Sequence, residues 1–419
     1  MKRFEKDIAI IGVGRVGLPL GLSLASEDFT TIGIDIDKKL IDSVNCKTFP
    51  FNEPGYDELI KKVDFTCTDE ISTVQNCENI IITVGTPLLA HIETDLSQVK
   101  RVISSILPHI RQGHNIMLRS TIAPKTSLFV KNYLEQKTGF TVGKDIFFSF
   151  CPERLAEGKA MMELYELPQI IGSEDTMSGL KAENIFAKLT SDILHTNFIS
   201  AELVKLFNNI SRYVHFSIAN QFAIIADNYN ANIYDIINMT NYKYPRGVIP
   251  QPGMTAGTCL RKDFGMINET IPYTDLLLSA WKVNEYMPLF LVENMKQKTS
   301  LLNKRIAILG YTFKKDVDDT RDSLIPKLVR YIERENPIEI NIHDPFLGTI
   351  IDGEYENKSL EEALKNADIV YLAINHTIFS EKVNAIFDQC GSHVWFADIW
   401  NVCKNQRIFF QNPNSNGEK

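Results

Sequence analysis

The segment Gly12-Val-Gly-Arg-Val-Gly17 constrains the fold of this chain more than any other feature, because it joins a predicted strand to a predicted helix. The strand is Asp7–Gly12, and the helix is under way by Leu18. In such a turn the first glycine allows a tight bend, the second lets a ligand approach the backbone, and the third lets the helix pack against the strand. The helix N-terminus attracts anions. The segment therefore predicts a parallel α/β fold whose first turn binds phosphate groups.

Alternating strand and helix patterns continue along the chain after this turn. Short apolar runs predict strands, and segments such as Leu18–Ser26 and Lys38–Val44 have the periodicity of helices. The predicted strands are 7–12, 31–35, 79–84, 115–119, 146–150, 169–172, 303–310, 339–344 and 367–373. The alternation predicts a parallel sheet covered by helices, which restarts near residue 303 as a second doubly wound domain.

A different pattern lies between the two sets of strands. From Ala201 to Asn228, apolar residues recur at three- and four-residue steps, which is typical of one long buried helix. These residues are Leu203, Leu206, Phe207, Ile210, Val214, Ile218, Phe222 and Ile225. We therefore predict an α/β protein with two doubly wound Rossmann-like domains joined by a long central helix, divided at 1–198, 199–300 and 301–419. The polar end, Asn412–Lys419, is predicted to be frayed.

Composition excludes several classes of protein. The 419 residues carry a net charge of −8, with no long basic run, which argues against nucleic acid as a partner. The seven cysteines are widely spaced and lack a C-x-x-C pair, so neither a disulfide framework nor a metal site is predicted. A charged N-terminus that leads straight into a strand and the lack of a long apolar run argue against a signal peptide and a membrane span. We therefore expect a cytoplasmic protein that holds any anionic ligand with local cations.

The second predicted strand ends in a carboxylate that defines the ligand of the first turn. Asp35 lies 18 residues after Gly17, where it can accept hydrogen bonds from both ribose hydroxyls and would repel a 2′-phosphate. NAD is therefore predicted in preference to NADP, although Asp35 could instead cap the next helix. The predicted contacts in the turn are Gly12, Val13, Gly14, Arg15, Val16 and Gly17. Thr86, Ser120 and Thr121 follow later strands at the same sheet edge, where loop capping is the alternative.

Cys259 lies in a segment with the parts of a covalent centre. It follows two glycines, Gly253 and Gly257, and precedes Lys262 and Asp263. A thiolate would be the nucleophile, the cation would lower its pKa, and the carboxylate could move protons. Hydride transfer alone needs no thiol, whereas an enzyme that carries an aldehyde on to an acid does. The alternative is that Cys259 is one of seven scattered cysteines.

Taken together, these motifs resemble the UDP-glucose/GDP-mannose dehydrogenase family of nucleotide-sugar 6-dehydrogenases across nearly the whole chain. Eight segments occur in the family's order. They are Gly12–Gly17, Pro50–Gly55, Thr86-Pro87 with Asp95–Ser97, Ser120-Thr121, Cys151–Gly158, Glu202–Lys205 with Asn209, Gly253–Asp263 and Phe313–Ser323. The resemblance implies a four-electron oxidation of a sugar C6 alcohol to a carboxylate. It consumes two NAD molecules and passes through a thioester on Cys259.

The resemblance also implies catalytic roles that suit the residue types. Lys205 and Asn209 are four residues apart on the long helix, so they share a face and can hold a C6 alkoxide. Asp263 with a water serves as the base, and Glu153 activates water for thioester hydrolysis. Thr121 belongs to the water network. Burial of an unpaired ammonium is costly, so Lys205 is hard to explain structurally, whereas Glu153 could pair with Arg154 and Asn209 could be a packing residue.

Further residues are assigned to ligands by the same resemblance. Glu157, Lys262 and Arg321 are predicted to contact the cofactor. The predicted substrate-binding residues are Glu153, Arg154, Leu155, Lys205, Asn209, Arg246, Gly253, Gly257, Phe313 and Lys314. Arg246 would come from a neighbouring subunit of a homodimer or higher oligomer. The alternative for Lys314, Lys315 and Arg321 is pairing with nearby aspartates on the surface.

The sequence departs from the family pattern at several positions. Ala256 replaces the first glycine of the usual pair, which is tolerable only if its φ is negative. Gln169 stands where a basic residue is common. Tyr244-Pro-Arg246 and Asn375-His376 resemble the branch that oxidises UDP-N-acetylhexosamines, so we predict UDP-N-acetylglucosamine or UDP-N-acetylmannosamine as substrate and keep UDP-glucose open.

Two other functions remain open from the sequence. A two-electron hydroxyacid dehydrogenase would explain the first turn, Lys205 and Asn209, but it has no use for Cys259 or a second α/β domain. A non-catalytic sensor of nucleotide sugars would explain the fold, but it would not need all the predicted catalytic groups. The yield of NADH per substrate separates the first alternative from the thiol mechanism.

Overall fold

A computed structural model describes residues 4–86, 96–268 and 274–415. The chain divides into two compact units. The first comprises the residues up to Asn209 and a segment that begins at Lys262, and the second comprises Ile210–Arg261 and the residues from Tyr273 onward. Two helices contain residues of both units: α8 (Phe198–Asn228) and α10 (Thr258–Asn268).

The first unit is built on a predominantly parallel sheet. Its strands are β1 (Lys6–Ile11), β2 (Thr31–Ile34), β3 (Phe65–Thr68), β4 (Cys77–Ile82), β5 (Asn115–Leu118), β6 (Phe147–Phe150), β7 (Gln169–Gly172) and β8 (Ile193–Thr196). Its further helices are α1 (Gly17–Ser26), α2 (Lys38–Asn45), α3 (Tyr56–Lys62), α4 (Ser97–Ile106), α5 (Thr126–Thr138), α6 (Ala160–Glu166) and α7 (Thr176–Phe186). The described strands have the order β3-β2-β1-β4-β5-β6-β7-β8, and only the β6–β7 pair is antiparallel. The first six strands thus follow the Rossmann order, which reverses between β1 and β4.

Alternate residues of β1 explain how helices cover both faces of this sheet. Ile8 and Ile10 pack with Leu18 of α1 on one face, whereas Ala9 and Ile11 belong to the core on the other face. Because successive side chains of a strand point to opposite faces, a strand buried on both sides is a continuous apolar run.

The second unit contains a smaller sheet of the same kind. Its strands are β9 (Arg305–Leu309), β10 (Glu339–His343), β11 (Ile350–Ile351), β12 (Tyr355–Glu356), β13 (Ile369–Leu372), β14 (Trp395–Ala397) and β15 (Phe409–Gln411). Its further helices are α9 (Ile233–Asn241), α11 (Asp275–Lys298), α12 (Ile325–Glu333), α13 (Leu360–Leu364), α14 (Thr377–Glu381) and α15 (Val383–Gln389). The main sheet has the order β10-β9-β13-β14-β15, with β15 antiparallel, and β11 pairs with β12. The predicted fold class is confirmed.

The long helix α8 differs in one respect from its prediction. Leu206 and Ile210 are buried as expected, but Phe207 and, in the second half of the helix, Ile218, Phe222 and Ile225 are exposed in the single chain. The buried face of this half of α8 instead carries the small residues Ala219, Ala223 and Ala226. The apolar periodicity identified the helix correctly and assigned part of its large side chains to the wrong face. Among the described residues, every helix is too short or too polar to cross a bilayer.

The C-terminal prediction was wrong at Asn412. This residue is fully buried, and its side-chain amide donates to the carbonyl oxygens of Phe387 and Cys390, at 3.0 and 2.9 Å. A buried amide with two acceptors is fixed in place, so the ordered chain continues past β15.

Candidate active site

The glycine turn after β1 has the geometry that phosphate binding requires. Gly12 has φ +91°, a conformation that side chains other than glycine rarely adopt. A side chain at Gly17 would overlap the carbonyl oxygen of Gly12, so the start of α1 can pack this closely only without a Cβ. At Gly14 no atom lies within 4 Å of an added Cβ. The turn is thus closed toward the protein at Gly12 and Gly17 and open at Gly14, where a pyrophosphate can approach the backbone.

Asp35 holds this turn from the end of β2. Its Oδ2 accepts from the backbone N–H of Val13 at 2.8 Å, and its Oδ1 accepts from Ile36 and Asp37 at 2.7 and 3.0 Å. The cap of α2 is Asp37, which accepts from two backbone N–H groups of that helix. Asp35 is therefore not the helix cap, and its half-buried carboxylate lies beside the open turn. The residues present suit NAD.

Arg15 links the turn to the loop after β6. Its guanidinium lies 2.5 Å from Oε1 of Glu157 and 4.9 Å from the ring centre of Phe51. The loop of residues 151–158 is held in turn by Glu53, which is buried and accepts from the backbone N–H groups of Gly158 and Ala160 at 2.7 and 2.8 Å. Two predicted cofactor contacts, Arg15 and Glu157, are thus brought together.

The predicted polar groups after β4 and β5 form hydrogen bonds across the edge of the sheet. Thr86 Oγ1 donates to the carbonyl oxygen of Thr121 at 2.6 Å and accepts from Lys262 Nζ at 3.1 Å. Ser120 Oγ donates to the carbonyl oxygen of Val84 at 2.6 Å. The ammonium of Lys262 is therefore directed to this sheet edge. Pro87 and Asp95, which also belong to the resembling segments, lie outside the described residues.

Lys205, Asn209 and Asp263 form a buried polar cluster in the first unit. Their exposed fractions are 5%, 8% and 0%. Asn209 Nδ2 donates to Asp263 Oδ2 at 2.6 Å. Burial raises the pKa of Asp263, although the charges of Lys205 and Lys262 and the hydrogen bond from Asn209 act in the opposite direction. A carboxylate with a raised pKa is a stronger base near neutral pH.

The position of Cys259 is described only at the level of the backbone. It lies in the first turn of α10, one helical turn before Asp263, and its side chain lies outside the described residues. Lys262 and Asp263 belong to the same helix. Residues 259 and 263 are thus four apart on one helix, a spacing at which residues share a helix face.

The first residue of the loop 151–158 is bound by Arg119, a buried cation to which the sequence analysis assigned no role. Arg119 donates to the carbonyl oxygen of Cys151 at 3.1 Å and to Oε1 of Gln169 at 2.8 Å. Burial lowers the pKa of Arg119, and the charge of Glu153 opposes that shift. The carboxylate of Glu153 accepts from the backbone N–H of Leu155. Gln169, noted as a departure from the family pattern, thus serves as a neutral acceptor for the arginine.

Glu153 and Arg154 do not form the ion pair that was the structural alternative. The guanidinium of Arg154 donates to the carbonyl oxygen of Pro168. Within the described part of the chain, Glu153 has no salt bridge at hydrogen-bond distance. Its local partner is the N–H of Leu155, two residues on, which keeps the carboxylate over its own loop.

In the second unit, the glycine loop (residues 253–257) is enclosed by aromatic rings. A side chain at Gly253 would overlap the ring of Trp400, and one at Gly257 would lie 2.7 Å from the ring of Phe313. Gly257 has φ +106°, whereas Ala256 is not among the residues with positive φ. The condition under which alanine is tolerable at position 256 is therefore met. Phe313, a predicted substrate contact, packs directly on the loop.

Two other predicted contacts of the second unit, Arg321 and Arg246, have local partners. Arg321 binds Asp319, with Nη2 to Oδ2 at 2.6 Å, which is the surface pairing that the sequence analysis kept as an alternative. Lys314 is half-buried in the same segment. Arg246 is exposed, and its Nε donates to the hydroxyl of Tyr244 at 3.0 Å.

A second residue that the sequence analysis left without a role is Glu202. It is buried, and its two oxygens accept from the backbone N–H groups of Lys125 and Ser127, both at 2.7 Å. These groups belong to the start of α5, so Glu202 joins α8 to the segment that follows Thr121. The signal in the sequence was a carboxylate on the same helix face as Lys205, three residues away.

Comparison with known proteins gives a consistent answer across the chain. Sequence models of the UDP-glucose/GDP-mannose dehydrogenase family match its NAD binding domain at residues 6–190, its central domain at 199–286 and its UDP binding domain at 307–405. The UDP-N-acetyl-D-mannosamine dehydrogenase of Methanocaldococcus jannaschii is 33% identical over 377 residues, which cover 88% of this chain and 86% of that protein. That of Methanococcus vannielii is 31% identical over 388 residues, with coverages of 90% and 88%.

A solved structure agrees with these relatives. The structure of the UDP-N-acetylmannosamine dehydrogenase of Pyrococcus horikoshii superposes with a TM-score of 0.84 at 30% identity, covering 92% of this chain and 93% of that one. The chain belongs to the UDP-glucose/GDP-mannose dehydrogenase family. It is an NAD-dependent enzyme that oxidises the C6 hydroxyl of a UDP-sugar, so the predicted family, enzyme class and cofactor are confirmed. A hydroxyacid dehydrogenase would not account for the UDP binding domain.

Proposed function

We propose that the chain oxidises UDP-N-acetyl-D-mannosamine to the corresponding uronic acid through a thioester on Cys259. The observation that carries the mechanism is the buried cluster of Lys205, Asn209 and Asp263, whose carboxylate lies one turn of α10 after the cysteine. The named activities of the relatives in Methanocaldococcus and Methanococcus support the choice of sugar over UDP-N-acetylglucosamine and UDP-glucose.

The first oxidation needs a group that accepts the hydroxyl proton and groups that hold the resulting negative charge. Asp263 with a water takes the proton, and its raised pKa suits that task. Lys205 and the amide of Asn209 hold the C6 oxygen while charge develops on it. When bound at Gly12–Gly17 and Asp35, NAD serves as the acceptor of one hydride from C6 in each of the two oxidations.

The second oxidation uses the thiol. The thiolate of Cys259 adds to the aldehyde carbon and forms a carbon–sulfur bond, and loss of a second hydride and the hydroxyl proton converts this thiohemiacetal to a thioester. Glu153 then takes a proton from a water, which adds to the carbonyl carbon. The carbon–sulfur bond breaks, and the products are the carboxylate and the free thiolate. The sum is one alcohol, two NAD and one water to one carboxylate, two NADH and three protons.

We also propose that the chain works as a homodimer formed through α8. The outer stripe (Ile218, Phe222 and Ile225) consists of exposed apolar residues at steps of four and three, so they share one face of the helix, and the exposed Tyr229 follows directly after it. Such a patch is typical of a protein interface. Arg246 would reach the diphosphate or sugar bound by the partner, because it is exposed and stiffened by the preceding Pro245.

The division into functional domains follows the same proposal. We place NAD binding in residues 1–198, dimerisation and the cysteine segment in 199–300, and the nucleotide-sugar site in 301–419. The ranges matched by the three family models support this division. In this division the substrate is bound in the second unit by Gly253, Gly257, Phe313 and Lys314. Arg154 and Leu155, in the loop of residues 151–158, also contact the substrate.

One experiment tests both the sugar and the thiol mechanism. Purified protein is mixed with NAD and, in turn, UDP-N-acetylmannosamine, UDP-N-acetylglucosamine and UDP-glucose, and NADH is counted per sugar consumed. We expect the highest kcat/KM with UDP-N-acetylmannosamine and two NADH per sugar. Cys259→Ser should bind NAD normally and lose steady turnover, because an ester leaves less readily than a thioester. One NADH per sugar, or full activity of Cys259→Ser, would contradict the mechanism.

A further inference from the structure

Two fully buried asparagines in the second unit join three parts of its backbone. Asn220 lies on α8 and Asn284 on α11, and both have an exposed fraction of 0%. Asn220 Nδ2 donates to Asn284 Oδ1 at 2.9 Å, and Asn284 Nδ2 donates to the carbonyl oxygen of Tyr213 at 3.2 Å. At the other end, the backbone N–H of Gly253 donates to Asn220 Oδ1 at 2.8 Å. The chain of hydrogen bonds therefore runs from the glycine loop to the backbone of α8.

The two ends of this chain determine the orientation of both amides. The carbonyl of Tyr213 can only accept, so Asn284 must turn its NH₂ toward it and its oxygen toward Asn220. Asn220 must then direct its NH₂ to Asn284 and its oxygen to Gly253, whose N–H can only donate. Neither amide can rotate by half a turn without placing two donors or two acceptors against each other. The orientation of the Asn220 oxygen that accepts from Gly253 is therefore consistent with the Tyr213 carbonyl at the other end of the chain of hydrogen bonds.

The two amides are buried in an apolar part of the second unit. The residues around them belong to an apolar core that includes Ala223, Met254 and Met287. A buried polar group without a partner is costly, so an amide here has to be fully bonded. Replacing both amides with apolar residues of similar shape would by itself cost little in packing. The energetic reason to keep the pair is the backbone N–H of Gly253.

Gly253 is the start of a segment that is constrained at both ends. The ring of Trp400 covers Gly253 and is itself fixed by a hydrogen bond from its Nε1 to the carbonyl oxygen of Ala373 at 2.8 Å. At the far end, the N–H of Gly257 donates to the carbonyl oxygen of Asp322 at 3.3 Å. The next residue begins α10, the helix that carries Cys259.

We propose that Asn220 and Asn284 are positioning residues that hold the glycine loop, and through it the first turn of α10, in the conformation in which Cys259 reacts. The proposal rests on the proposed role of Cys259 as nucleophile. Both amides are fully buried, so they act through the N–H of Gly253. A loop held by two independent anchors keeps a nucleophile close to its productive geometry, and a displacement of about 1 Å costs on the order of a hundredfold in rate.

The test compares two substitutions of Asn284. Asn284→Asp keeps an oxygen for Asn220 and, when ionised, cannot donate to the carbonyl oxygen of Tyr213, so it lowers stability while Asn220 keeps its orientation. Asn284→Leu removes the oxygen that accepts from Asn220, so the buried NH₂ of Asn220 loses its partner and the side chain that accepts from Gly253 is no longer anchored to α11. The rate of alkylation of Cys259 by iodoacetamide, measured on its peptide by mass spectrometry, and kcat are compared with Tm. We expect Asn284→Leu and Asn220→Leu to slow both rates by about tenfold or more, and Asn284→Asp to change them less than threefold.

A matched control is Asn412→Leu, which removes another fully buried amide of the same unit far from the glycine loop in sequence. It should lower Tm without changing the alkylation of Cys259. If alkylation and kcat simply follow Tm across all four variants, or if Asn220→Leu reacts as fast as the wild type, the positioning role is wrong. The alkylation of Cys259 needs no turnover, so it tests the asparagines separately from the catalytic mechanism. Retained activity of Cys259→Ser would contradict the thiol mechanism, and the alkylation rates would still show whether Asn220 and Asn284 position the loop.

Discussion

The two α/β units place an aspartate at the same point of the fold and use it in opposite ways. In the first unit, β1 is followed by Gly12 with φ +91°, and Asp35 after β2 accepts from the N–H of Val13 in that turn. In the second, β9 is followed by Gly310 with φ +93°, and Asp344 after β10 accepts from the N–H groups of Tyr311 and Thr312 at 2.7 and 3.1 Å. Each glycine and each carboxylate occupies the corresponding position.

The difference lies on the other side of the carboxylate. Asp35 is half-buried beside an open turn, whereas Asp344 is 1% exposed and accepts from Nε2 of the fully buried His376 at 3.0 Å. His376 Nδ1 accepts from the N–H of Asp316 at 2.9 Å, so the ring proton is on Nε2. Although burial alone would raise it, the hydrogen bonds from His376 and the backbone keep the pKa of Asp344 below its ordinary value.

The comparison shows that a strand, a glycine and a carboxylate do not by themselves make a dinucleotide site. In the first unit, the carboxylate retains capacity for ribose hydroxyls. In the second unit, His376 donates to the carboxylate of Asp344 in place of a ligand. Asp344 and His376 then accept from the backbone N–H groups of Thr312 and Asp316, on either side of Lys314. The same topology therefore gives one ligand site and one internal support.

The largest expected effect is the loss of stability in Asp344→Ala. Removal of the carboxylate leaves the N–H groups of Tyr311 and Thr312 and the ring of His376 without their acceptor, which should lower the free energy of unfolding by about 4 kcal/mol. Urea titration measures this change. Because the pKa of Asp344 is lowered, its contribution is present above the ordinary carboxyl range and is lost as pH falls through the lowered value. The preference for NAD over NADP should not change; a stable variant with altered coenzyme preference would break the comparison.

The corresponding substitution in the first unit should change selectivity. Asp35→Ala removes the charge that repels a 2′-phosphate, so the preference for NAD over NADP in kcat/KM should narrow by about a hundredfold, or about 2.7 kcal/mol. Steady-state kinetics with both coenzymes measures it. Asp35→Asn is the matched control, because it keeps an oxygen for Val13 and loses the charge. Unchanged discrimination in both variants would place the selectivity elsewhere.

The smallest effect concerns the glycines. Gly14→Ala meets no atom within 4 Å, so Tm should hold while the Kd for NAD rises by about tenfold, or about 1.4 kcal/mol, as the methyl group keeps the pyrophosphate from the backbone. Gly310→Ala is the counterpart, because its Cβ would lie 2.5 Å from Cβ of Ile374 at a positive φ. It should lower Tm. Equal losses of stability in the two variants would remove the distinction between an open and a filled turn.

Residues whose role depends on local spacing were predictable from the sequence. The turn Gly12–Gly17, Asp35 and the helical pair Lys205 and Asn209 are each defined by a short pattern, and their placement follows once strand and helix are assigned. The burial of Lys205 also followed, because its helix neighbours are apolar. The apolar stripe of α8 was assigned to the core because periodicity measures which residues share a face and not what covers that face.

The sequence by itself determined the class of fold, the family, the cofactor and the sugar-oxidising chemistry, because these depend on short motifs that can each be identified along the chain and that occur in a set order. Only the tertiary structure decided that Glu53 holds a loop about a hundred residues away, that Arg119 donates to the carbonyl oxygen of Cys151, and that Asn220, bonded to Asn284, accepts from Gly253. These partners are distant in the chain, and an isolated asparagine or glutamate has the same local pattern whether it faces solvent or a buried N–H. The direction of a hydrogen bond across a packed core appears only when the elements that carry it are packed together.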